Sequence, residues 1–258
     1  MIEDLSFPDS AGVYVPERLV LRGGSWRWIR LAVRYARFRH PVAGPCLIDT
    51  GYSARVTKGP RSLPLSLYAA ILRPALTESA LPQASPDIRA ILLTHLHADH
   101  VSALRDYPDA SIYADAAGTA HVLKTGAFSR LRHGVFGELL PEDFETRLVP
   151  LSSVLTVAAP FGLGPAQDVF GDGEVLAIPL PGHMRGHTGY LFARQDPPLL
   201  YAGDADWLWT SIREARAPGP PARWILDDPS AAEQTSGRLR AFAAAGGRIV
   251  LCHDPEPA

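Results

Sequence analysis

THLHADH, residues 94 to 100, packs three histidines and one aspartate into six positions directly behind the apolar run IRAILLTH at 88 to 95. Imidazole nitrogen and carboxylate oxygen are the ligands a borderline divalent metal such as zinc prefers. His95 and His97 lie two apart, so in an extended or turning backbone both point the same way and reach one ion. Asp99 and His100 follow one turn later, offset enough to serve a second. The chain holds only nine histidines, so this clustering is poorly explained as a solvated loop with chance histidines.

Further candidates stand at the ends of other apolar runs. PCLIDTG (45 to 51), EVLAIPLPGH (174 to 183), PLLYAGD (198 to 204) and RIVLCHD (248 to 254) each read as a buried strand. The last three deliver His183, Asp204 and His253. Functional groups of α/β proteins gather beyond the carboxyl ends of strands. Between the strands lie helix formers, AAILRPAL (69 to 76) and SAAEQTSGRLRAFAAAGG (230 to 247), the second ending in Gly246 and Gly247 as a helix C-terminus does. The alternation predicts an α/β fold.

Residues 26 to 40, WRWIRLAVRYARFRH, carry both spacings. The turn-like HPVAGP that follows favours strand, with Arg27, Arg30, Arg34 and Arg37 read as a solvated basic face. Residues 118 to 172 read as irregular, either a lid or pocket wall or a plain connection, and GDG at 171 to 173 reads as a hairpin turn. With no repeat or low-complexity linker, a single domain over 1 to 258 is expected.

Twenty-five Lys and Arg stand against 27 Asp and Glu, a formal charge of -2, which gives no overall reason to bind nucleic acid or an anionic membrane. No stretch approaches the ~20 apolar residues of a membrane span, and the N-terminus lacks a basic start and apolar run, so a cytoplasmic protein is expected. Cys46 and Cys252 sit in apolar runs and read as buried thiols without a disulfide.

HxHxDH followed by a His, an Asp and a His resembles the motif set of the metallo-β-lactamase superfamily, and the resemblance spans residues 49 to 253. It implies a four-layered αβ/βα sandwich with two divalent metal ions, zinc first and iron or manganese also suited, in a cleft between the edges of two sheets. By motif, His95, His97 and His183 hold the first ion, Asp99, His100 and His253 the second, and Asp204 bridges them. Asp49 matches an early aspartate that supports the ligands by hydrogen bonding. His187 is read as structural or supporting, and Asp254 as orienting a ligand or capping a chain end.

Within the superfamily, FRHPVAGPCLIDTG (38 to 51) and LCHDPE (251 to 256) are similar to the opening and closing motifs of the N-acyl-homoserine lactonases. Those enzymes place a Tyr shortly after the bridging aspartate; here GDADWLW gives Trp207, whose N–H can donate a hydrogen bond but not transfer a proton as a phenol does. Two nearby ions bring the pKa of a shared water toward neutral while one polarises a carbonyl. Asp204 or Asp99 then carries the proton to the leaving group. The expected reaction is hydrolysis of an ester or lactone of a small, partly apolar substrate, with Trp207, Trp209, Phe128 and Phe136 as candidate apolar wall. A glyoxalase II-like thioesterase, a nuclease or phosphodiesterase, and an iron-dependent redox enzyme are the alternatives; oligomeric state is not legible.

Overall fold

The computed structural model describes residues 1–77 and 87–256. One six-stranded sheet runs, in spatial order, Glu3–Ser6, Ala36–His40, Gly44–Ile48, Ala90–Leu92, Ser111–Ala114 and Leu148–Pro150. A second runs Thr156–Ala159, Gly164–Asp168, Val175–Pro179, Thr188–Phe192, Leu199–Gly203 and Arg248–Leu251. The strands that carry site residues lie in parallel pairs or beside them: Gly44–Ile48 is parallel to Ala90–Leu92, and Leu199–Gly203 to Arg248–Leu251.

Strand alternation sorts the apolar residues into layers. Cys46, Ile48, Ala90 and Leu92 of the first sheet meet Val175, Ala177, Tyr190, Phe192, Leu199 and Tyr201 of the second in one buried core. Their neighbours face outward: Leu47, Ile91 and Leu93 pack under Leu65, Ala69 and Val122, and Leu176, Ile178, Leu191 and Leu200 pack under Ile212, Leu239 and Phe242. Helices Leu63–Leu72 and Ala116–Lys124 therefore cover one outer face, and Trp209–Glu214 and Pro229–Ala244 the other. In the central strands Ala90–Leu92, Thr188–Phe192 and Leu199–Gly203 both faces are buried, which is why they read as continuous apolar runs. The order helix, sheet, sheet, helix is the αβ/βα sandwich. Among the described residues no helix is long and apolar enough to cross a membrane.

Several sequence expectations need correction. Residues 26 to 40 form two strands in different sheets: Trp28–Arg34 pairs with Asp9–Pro16 in a three-stranded sheet completed by Ala75–Leu76, while Ala36–His40 joins the first six-stranded sheet. Arg34 is not on a solvated face. It is buried, and its guanidinium donates to the carbonyls of Leu251 (3.2 Å), Asp254 (2.6 Å) and Glu256 (2.6 Å), clamping the segment that carries His253. The 69 to 76 helix stops at Leu72, because Arg73 turns left-handed (φ 47°) before Pro74. Residues 118 to 172 are far from irregular: they contribute helices Ala116–Lys124 and Ala127–Arg132 and three strands. These elements run only three to nine residues, too short for a period to register. GDG lies in the connection of an antiparallel pair, with Asp168 accepting from the N–H groups of Gly171 and Gly173 at 3.0 and 2.9 Å.

Candidate metal centre

All seven residues singled out as metal ligands converge at one end of the sandwich, where strands of both sheets finish. His97 ends the extended stretch after Ala90–Leu92 and precedes the turn of helix Ala98–Val101, which presents Asp99 and His100. The parallel strands Leu199–Gly203 and Arg248–Leu251 place Asp204 and His253 side by side, with the Cys252 N–H on the Gly203 carbonyl at 3.0 Å. Gly203 adopts φ +54°, and a Cβ there would sit 3.0 Å from Thr94 Cγ2 and 3.1 Å from His187 Nε2. Only glycine lets this strand end approach so closely.

His95 Nε2 lies 2.9 Å from His97 Nδ1, which lies 3.1 Å from His183 Nε2. Asp204 Oδ2 closes this set at 3.4 Å from His183 Nε2 and 3.9 Å from His95 Nε2. A second set surrounds His100 Nε2: Asp204 Oδ1 at 3.3 Å and Asp99 Oδ2 at 3.6 Å, with His253 Nε2 3.4 Å from Asp99 Oδ2 and 3.0 Å from Asp204 Oδ2. Asp204 belongs to both sets.

The protein fixes which nitrogen faces inward. Thr94 Oγ1 donates to Asp49 Oδ2 (2.8 Å), so it accepts from His95 Nδ1 (2.9 Å) and leaves a lone pair on His95 Nε2. His100 Nδ1 donates to Asp49 Oδ2 (2.7 Å), and His253 Nδ1 donates to the Ala32 carbonyl (2.6 Å). Asp49 hydrogen-bonds the ligand shell as the motif resemblance implied, whereas Ala32, Thr94 and Arg34 carry no sequence signal that reveals their part. His187 also supports: Nδ1 donates to the Leu180 carbonyl (3.2 Å) while Nε2 accepts the Asp204 N–H (3.1 Å). Asp254 serves the chain, accepting from the N–H groups of Trp209 and Glu256.

Electrostatics divide the histidines. Burial holds His95 and His97 well below the ordinary imidazole range and pushes His183 down to about 4 and His187 to about 3, so all four are neutral lone-pair donors at pH 7. Burial also opposes charge on His100 and His253, but Asp204 beside both, with Asp49 and Asp99 around His100, holds them well above that range. The inward-facing nitrogens of His95, His97 and His183 lie 2.9 to 3.1 Å apart beside the Asp204 carboxylate, a converging set of nitrogen and oxygen donors of the kind a divalent cation binds. Two of the inward-facing atoms, His100 Nε2 and Asp204 Oδ1, are buried with no hydrogen-bond partner among the described residues. The residues present therefore fit a metal centre. Cys252 Sγ, absent from the sequence-derived ligand set, lies within 4.8 Å of the His100, Asp204 and His253 ligand atoms but donates to the Arg34 carbonyl at 3.3 Å.

A cavity of about 470 Å³ opens beside this centre, lined by His183, Asp204 and Trp207. The Trp207 ring lies 6.0 Å from His183 and 6.1 Å from His253. The other proposed wall residues are elsewhere: Phe128 is 82% exposed, Phe136 is buried under the first sheet, and Trp209 packs on the second.

Residues 43–253 match the family model described as the metallo-beta-lactamase superfamily. The chain belongs to this superfamily. Among its relatives is a probable metallo-hydrolase of Mycobacterium tuberculosis, 28% identical over 173 residues that cover 63% of this chain and 53% of that protein. The chain thus spans about half the length of that relative. The N-acyl homoserine lactonase AttM of Agrobacterium fabrum is 24% identical over 236 residues, 88% of this chain and 83% of that one. In fold, the chain is similar to a mutant of the B. thuringiensis protein AiiA with N-decanoyl-L-homoserine bound (TM-score 0.72, 17% identity, covering 98% of this chain and 94% of that one). It is also similar to AidC, described as a dizinc quorum-quenching lactonase (TM-score 0.64, 14% identity, covering 100% and 90%).

Proposed function

We propose that the chain is a two-metal hydrolase that opens an ester or lactone bond of a small substrate. The observation that carries this reading is the pair of His and carboxylate sets sharing Asp204. In this assignment His95 Nε2, His97 Nδ1 and His183 Nε2 would hold one ion and His100, His253 and Asp99 the other, with Asp204 common to both sets. Zinc suits this mixed nitrogen and oxygen set. When bound, the two ions supply a water acidified toward neutral pH and Lewis-acid polarisation of a carbonyl.

The chain's own residues do the rest. Asp49, Thr94 and the Ala32 carbonyl keep the ligand tautomers fixed, so no reorganisation is needed when a substrate arrives. Asp99 Oδ2 is the acceptor best placed to take a proton and pass it to the leaving alkoxide, because its side chain is 11% exposed against 2% for Asp204. Trp207 stands where the lactonases carry a Tyr, so it orients a substrate rather than exchanging protons with it. The lactonase names of AttM and AidC support the acyl-bond choice. Metal analysis of the purified protein, followed by kcat/KM for an acyl lactone, an aryl ester and a bis-aryl phosphodiester, tests it. Two metal equivalents and an acyl preference are expected. A phosphodiester preference of about tenfold, ~1.4 kcal/mol at the transition state, overturns the acyl reading.

A further inference from the structure

We infer that the substrate carries an anionic oxygen group, a carboxylate or phosphate-like end, held by Arg22 and Arg240 at the far side of the cavity from the scissile bond. The inference rests on the acyl-hydrolase reading above and narrows its substrate. The cavity that reaches His183 and Asp204 is also lined by Arg22, Arg216, Arg223 and Arg240. Four arginines round one cavity run against a chain whose formal charge is -2.

The nearby acids do not neutralise them all. Glu233 pairs with Arg223 at 3.3 Å. Glu214 pairs with Arg216 at 3.0 Å. Of the remaining carboxylates of the wall, Asp204 faces the His183 and His253 nitrogens, and Asp206 accepts from the Trp207 N–H (2.9 Å) and Ser236 Oγ (3.2 Å). Among the described residues, Arg240 is left with one bond, from NH1 to the Ile212 carbonyl at 3.2 Å. Arg22 has no side-chain partner among the described residues, while its backbone is pinned: its N–H donates to the Ala217 carbonyl at 3.0 Å and its carbonyl accepts from Arg216. Two guanidinium groups therefore border the cavity without a carboxylate partner, and an anionic oxygen group is what such donors bind. Ala205, Trp207, Leu226 and Pro229 also line the cavity and suit a short apolar linker. A volume of about 470 Å³ falls in the small-molecule range.

The test uses the metal-loaded enzyme and three aryl esters of equal chain length, ending in methyl, carboxylate or phosphonate. A charged ester should be preferred by about tenfold in kcat/KM, the preference shrinking as salt screens it. The arm that wins identifies the anion. In the Arg22→Gln/Arg240→Gln double variant, with folding and metal content verified, the ratio should fall below about threefold, mainly through KM, since these groups bind a part of the substrate that does not react. If the methyl-ended ester is hydrolysed as well as or better than both charged ones, the anion inference is wrong and the acyl reading stands. Turnover of a phosphodiester with none of the three esters overturns both.

Discussion

Replacing Asp49 by Asn should cost the second metal far more than the first. Asp49 is fully buried at φ +59°, a conformation Asn also tolerates, so the backbone is not strained. Its oxygens take three donors: Thr94 N–H and Oγ1, each at 2.8 Å, and His100 Nδ1 at 2.7 Å. An Asn amide offers one oxygen. If that oxygen keeps the Thr94 N–H, the NH2 group faces the His100 Nδ1–H, and the clash is relieved only when His100 moves its proton to Nε2. That atom lies 3.3 Å from Asp204 Oδ1 and 3.6 Å from Asp99 Oδ2, and once protonated it cannot ligate. With the amide flipped, two N–H groups meet at Thr94 instead. Loss of a charge-assisted hydrogen bond costs about 1.5–3 kcal/mol. Disturbing a ligand's supporting partner weakens metal binding about 10–100-fold. Competition with a chromophoric chelator should therefore show the weaker equivalent loosened by that factor, with the His95, His97 and His183 set changed less. Two equivalents bound within about threefold of the wild-type affinities would refute the assignment of Asp49 as the group that sets the His100 tautomer.

Metal binding should release protons at neutral pH, because the nearby carboxylates hold His100 and His253 protonated in the metal-free protein, so affinity should rise with pH; calorimetry in buffers of different ionisation enthalpy measures the release, and none at pH 7 would contradict this. His187→Ala should remove the partners of the Asp204 N–H and the Leu180 carbonyl, costing about 1–3 kcal/mol for each orphaned group. His187 is neutral when folded because burial pushes it to about 3 from an ordinary 6.5, so its contribution is complete above pH 6.5 and is lost as pH falls toward 3. The slope is about 1.4 kcal/mol per pH unit; in acid unfolding the variant should take up about one proton fewer, and an unchanged slope with unchanged melting temperature would sink the argument.

The sequence determined the chemistry of the centre. His95, His97, Asp99 and His100 are close in the chain, and His183, Asp204 and His253 each follow an apolar run that reads as a buried strand, so local pattern and the motif resemblance were enough to single them out as candidate ligands. The helix over 229 to 244 and the turn at 171 to 173 were legible for the same reason, being set by residues that are neighbours in sequence. What only the tertiary structure decided involves partners far apart in the chain. The carbonyl of Ala32 that orients His253 is 221 residues away, and the Arg34 clamp spans up to 222. A carbonyl carries no side-chain signal, and an arginine in a strand looks the same whether water or three carbonyls surround it. Trp207 shows the division within one residue: its place after Asp204 could be read directly, but that it borders the cavity while Phe128 and Phe136 do not depends on how the layers pack. Composition likewise balanced the charges over the whole chain, and folding gathered Arg22, Arg216, Arg223 and Arg240 around one cavity, because proximity in space is set by the packing of distant segments and not by their order.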